Sequence, residues 1–196
     1  MAKTKTARRA KENKFVGYRT LQRAAKIMLP FYRAVAGSEA FARRWSRAVT
    51  KDDLAGMGRL LRSVSPKASG LPYGSNGIGY FVSFPIANTE LQLTNGTTIP
   101  AGTVQFFFET RVHRAICRAV LPLYRELARN RAFAIAFAKA VGAEDGAVVR
   151  SMVIGLVKTP ALISVEVGVE QGGVALAFKY KFSKYVYRNL LFLERV

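Results

Sequence analysis

Between Val16 and Val35, apolar side chains return every third or fourth position, at Tyr18, Leu21, Ala25, Met28, Leu29 and Tyr32. This spacing predicts an amphipathic helix, with Arg19, Arg23, Lys26 and Arg33 sharing its other side. Pro30 lacks the amide hydrogen that a helix interior needs, so a kink or a fresh start is expected there. Gly37-Ser38 reads as a stop followed by an N-cap. The helix that follows would turn Phe41, Trp45, Ala48 and Val49 inward and Arg43, Arg44, Arg47 and Lys51 outward. Thr50 and Asp53 resemble a capping box opening a third helix, which carries Leu54, Met57, Leu60, Leu61 and Val64 and ends before Pro66.

Past Pro66 the period changes to two. Ile78–Phe84 and the alternating Thr89, Leu91 and Leu93 predict strands, Asn95-Gly96 predicts a hairpin turn, and Thr103–Glu109 predicts a further strand. The glycine-containing stretch 70–80 reads as turn chemistry, because it lacks the Gly-Lys-Ser/Thr ending of a phosphate loop. The same order then returns, with helices at about 111–129, 130–141 and 146–157 and strands at 161–169, 173–182 and 185–195. In the middle strand Val174, Leu176, Phe178, Tyr180 and Phe182 would occupy one face, and Lys179 and Lys181 the other.

The recurrence extends to residue identities. LPFYRAVAGSEAFARRWSRAV (29–49) and LPLYRELARNRAFAIAFAKAV (121–141) align without a gap, with 10 of 21 positions identical. Average composition predicts roughly two matches in such a window. The expected architecture is therefore α+β: a tandem duplication of a three-helix plus small antiparallel sheet unit, with halves related by a pseudo-twofold. Residues 1–17 form a basic arm, 18–110 the first repeat and 111–196 the second, the two packed as one globular unit. A three-stranded sheet is marginal alone, so a shared core is the economical arrangement.

Charge separates the halves. The chain carries 31 Lys and Arg against 12 Asp and Glu, a net of +19. Residues 1–68 hold 17 of these cations and 4 of the acids. Such a field repels itself in a compact state, and a polyanion relieves it. Where the repeats align, Arg43, Arg44 and Trp45 face Ile135, Ala136 and Phe137. The second half thus holds a nearly all-apolar helix, suited to burial or to contact with another copy.

Complete chemical constellations are absent. His113 and Cys117 have the spacing of a two-ligand clip, yet no other His or Cys completes a metal set, and the pair lacks an orienting third group. No catalytic residue, metal or cofactor is assigned. A single cysteine excludes an internal disulfide, and the polar start does not read as a signal peptide. These features lead to the expectation of a cytoplasmic, non-enzymatic protein.

The leading expectation is sequence-nonspecific contact with DNA or RNA. It would run through Lys3, Lys5, Arg8, Arg9, Lys11 and Lys14 of the arm, Arg19, Arg23, Lys26 and Arg33 of the first helix, and Arg43, Arg44 and Arg47 of the second. Lys179, Lys181, Lys184 and Arg188 form a secondary set within the aromatic string FKYKFSKYVYR. The alternatives are a self-assembling shell, tail or filament subunit whose charge serves packing, and a protein of anionic membrane surfaces.

Overall fold

The computed structural model describes residues 17–196, and the arm residues Lys3 to Lys14 lie outside that range. Three helices open it, α1 (Tyr18–Gly37), α2 (Glu39–Thr50) and α3 (Leu54–Val64), followed by the single turn α4 (Pro66–Ser69). Strands β1 (Tyr73–Ser75), β2 (Gly79–Pro85) and β3 (Leu91–Thr98) come next. Then follow α5 (Thr110–Arg129), α6 (Arg131–Gly142) and α7 (Gly146–Leu156), and finally β4 (Leu162–Val167), β5 (Gly173–Phe178) and β6 (Tyr187–Arg195). The fold is α+β. All six strands belong to one antiparallel sheet, in the order β1-β2-β3-β6-β5-β4.

The helices cover one face of this sheet, α1 and α5 against each other at its centre, α2 and α3 over β2 and β1, and α6 and α7 over β5 and β4. Helix lengths recur as 20, 12 and 11 residues in both sets. So do the caps. Asp53 accepts from Gly56 N at 2.8 Å and Asp145 from Val148 N at 3.1 Å, each after a residue at positive φ, Asp52 and Glu144. Ser38 and Asn130 cap α2 and α6 in the same way.

Several expected boundaries move. Helix α1 runs unbroken through Pro30 and α5 through Pro122, because packing of the flanking turns outweighs the one lost hydrogen bond. Thr50 does not form a capping box: its hydroxyl donates to Ser46 O, and Asp53 alone caps α3. Asn95-Gly96 is not a turn but the middle of β3. A Cβ at Gly96 would stand 2.2 Å from Tyr80 O, so this glycine serves close strand approach. The expected strand at Thr103–Glu109 is loop, in which Phe108 is buried while Phe106 and Phe107 face out. Within 70–80 the turn reading misses β1. Strand β5 stops at Phe178, where the chain turns and Lys179 Nζ donates to Ser183 O at 2.9 Å and Lys184 O at 2.7 Å.

Beneath α1 and α5 lies a buried polar ring. Tyr32 Oη donates to Asn95 Oδ1 at 2.8 Å and Tyr124 Oη to Asn189 Oδ1 at 3.0 Å. The amides answer crosswise, Asn95 Nδ2 donating to Tyr124 Oη at 2.6 Å and Asn189 Nδ2 to Tyr32 Oη at 3.0 Å. Each amide also reaches a carbonyl of the other strand, Asn95 that of Leu190 and Asn189 that of Gly96, and Gly96 and Leu190 oppose each other across the β3–β6 ladder. Burial holds both phenols well above the usual tyrosine range.

Candidate functional site

On α2, Phe41, Ala42, Trp45, Ala48 and Val49 are buried against the core. The helical period then leaves Arg43, Arg44 and Arg47 exposed on one side. A tight turn through Lys51 and Asp52 reverses the chain into α3, and Arg59 comes to face α2 across a groove. Arg44, Arg47, Lys51 and Arg59 line this groove of about 560 Å³, with Asp53 as its one carboxylate. One oxygen of that carboxylate is engaged in capping α3. Among the described residues, none of the four cations forms an ion pair.

A second groove of about 580 Å³ adjoins α2 on its other flank, where Arg43 meets Arg111, Arg114 and Arg118 of α5, with Glu39 and Glu109. Here the charge is partly matched. Glu39 accepts from Arg43 at 2.6 Å and from Arg114 at 3.0 Å, and these guanidinium groups, Arg43 foremost, hold its carboxyl below the usual range. Arg118 Nε donates to Ala36 O at 3.3 Å. A third groove, of about 680 Å³, brings Arg19, Arg23 and Lys26 of α1 together with Lys67 of α4.

The expected cations are thus partly gathered. Arg19, Arg23 and Lys26 share one groove and Arg44 and Arg47 another; Arg43 lines the groove beside α5 and also meets Arg44 and Arg47 in an open groove along α2, whereas Arg33 is exposed away from all of these. The secondary set is dispersed: Lys179 closes its own loop, Arg188 pairs with Glu166 at 3.1 Å, and Lys181 and Lys184 are exposed. Sequence reasoning assigned no site role to Lys51, Arg59, Lys67, Arg111, Arg114 and Arg118, which reach these grooves only through the packing of neighbouring helices. For Arg111, Arg114 and Arg118, the three- and four-residue spacing was the available signal.

His113 and Cys117 are fully buried. His113 Nε2 lies 3.1 Å from Tyr80 Oη, among Phe31, Tyr80 and Phe108, and desolvation lowers its pKa to about 3. Burial likewise pushes the Cys117 thiol up, away from the reactive thiolate. Among the described residues no three His, Cys, Asp or Glu side chains come together as a metal site would require. No helix of the described residues is long and apolar enough to cross a membrane.

No protein-family model matches this chain, and neither a curated protein nor a solved structure matches it.

Proposed function

We propose that this protein is a non-enzymatic binder of nucleic-acid backbones, gripping phosphates through the α2–α3 groove, its flanks and the basic arm, without reading sequence. The carrying observation is the convergence of Arg44, Arg47, Lys51 and Arg59 on one groove with a single, capping carboxylate. Such a cluster is costly to hold in isolation and is relieved by counter-charge. Guanidinium forks suit phosphate oxygens, and helix-borne cations at the surface position a backbone rather than select bases. The setting is cytoplasmic, and nucleic acid is the partner.

The same proposal includes the build of the molecule: two fused copies of one α+β unit, 18–110 and 111–196, about a pseudo-twofold. The matched helix lengths, the paired Asp53 and Asp145 caps and the symmetric strand order support it. Divergence then accounts for the basic α2–α3 surface on one copy and the apolar α6–α7 surface on the other.

A salt-series titration against fluorescent RNA and DNA, with anionic vesicles alongside, tests the reading. Arg44→Ala/Arg47→Ala is expected to weaken nucleic-acid binding and to reduce the salt slope by roughly one to two. A double variant with unchanged slope would remove the groove from the interface.

A second reading, self-assembly, is favoured by one observation. Val148 and Ile154 of α7 and Ile163 of β4 are 44%, 45% and 53% exposed, beside a sheet edge. Sedimentation mass that rises with concentration would mark that surface as an interface between copies.

A further inference from the structure

We infer that the loops preceding α5 and β6 form a base-stacking platform, which makes the bound polyanion a single-stranded nucleic acid. This rests on the phosphate-binding reading above and names its substrate class. Phe106 is 68% exposed and sits at φ +50°, a left-handed conformation that a bulky side chain adopts only when its surroundings impose it. Gly77, itself at φ +75°, leaves the room this ring takes: a Cβ there would stand 3.0 Å from Phe106 Cδ1. A left-handed backbone thus carries a largely exposed apolar ring. Beside it Phe107, 36% exposed, meets Tyr185 edge-on at 5.1 Å. Phe182, 40% exposed, carries the Arg111 guanidinium 3.9 Å above its ring.

The platform is also cationic and braced. The two carbonyl contacts of Lys179 tie down the loop that bears Phe182, leaving Lys181 and Lys184 free at its surface. Arg111 connects it to the phosphate surface, since the same side chain lines the groove with Arg43, Arg114 and Arg118 that flanks α2. The α2–α3 groove itself is lined by no aromatic residue. Phosphates therefore have cations along α2, and bases have rings at the loops. Stacked bases are accessible only in an unpaired strand, whereas a duplex buries its faces internally.

The test uses the full chain, a fluorescein-labelled oligothymidylate of about 20 nucleotides, a duplex of matching length, and inorganic polyphosphate as a competitor that has charge but no bases. Phe182→Ala and Phe107→Ala are expected each to weaken oligothymidylate binding about tenfold, with duplex binding and polyphosphate competition changed less than about twofold, and Phe182→Trp to retain affinity. Circular dichroism and the fluorescence of the single Trp45 monitor the fold. If the phenylalanine variants bind oligothymidylate like the wild type while Arg44→Ala/Arg47→Ala weakens it, the platform is wrong and the phosphate reading stands. If wild-type protein binds none of the three ligands, both are overturned.

Discussion

Asn95 is a residue whose role inverts between sequence and structure. Next to a glycine it reads as a turn former, yet it stands fully buried in mid-strand, its amide saturated by Tyr124 and Leu190. Nothing within five residues of it signals this, because its partners arrive from α1, α5 and β6. Burial without such partners would cost about 1–3 kcal/mol per unsatisfied group, so the ring is stable only as a complete set. Tyr124→Phe removes the donor to Asn189 and an acceptor for Asn95, and Tyr32→Phe does the mirror-image damage. Each is expected to cost about 1–3 kcal/mol in urea denaturation. The double variant should depart from additivity, since both phenols serve the same two amides. Additive losses would show that the phenols act separately.

At the scale of elements, helices were far more legible than strands. The three- and four-residue period of α1, α2, α5 and α6 is local, and the starts of α2, α3 and α7 are written in Ser38, Asp53 and Asp145. Strand limits depend on what lies alongside. Phe106, Phe107 and Phe108 look like a strand until Phe108 is seen packing against His113 and Tyr187, with its neighbours turned outward. FKYKFS alternates perfectly, yet pairing ends at Phe178, where β6 ceases to run beside it. The basic groove was half visible: the arginines of α2 could be read directly, but Arg59 needed the α2–α3 turn to bring it across. Because Asp53 and Asp145 make the same bond in matched turns, Asp53→Ala and Asp145→Ala should each lower stability by about 1 kcal/mol. Calorimetry checks this; a loss at only one position would mean that the two turns are not equivalent in their contribution.

The whole molecule couples stability to pH through groups held neutral in its core. His113 titrates near 3 in the folded chain against 6.5 in the unfolded one, so the unfolded state gains a proton that the folded state refuses. Its contribution is fully present above about pH 6.5 and is lost as pH falls from there toward 3. The expected slope is about 1.4 kcal/mol per pH unit for one proton. At the alkaline end Cys117 is raised well above 9.0 and Tyr32, Tyr80 and Tyr124 well above 10.0, so stability declines as pH passes these unfolded values, the thiol's first. Urea midpoints measured from pH 4 to 11 should therefore show a plateau between the two limbs. His113→Phe, whose ring suits the pocket of Phe31, Tyr80 and Phe108, should flatten the acidic limb between about pH 6.5 and 4. An identical acid limb in that variant would assign the loss to other groups.

The buried ring has a consequence for how freely the exterior can change. Sliding β3 past β6 by one residue would carry Asn95 to the opposite face of the sheet from Asn189, and sliding it by two would part Asn95 from both phenols. The strands can thus meet in one alignment, much as a notched joint closes only one way. With alignment secured at the centre, the outward faces of the helices need contribute little to bringing the parts together. They are the positions where charge, aromatic rings or apolar surface can be exchanged on one side of the molecule without disturbing the other.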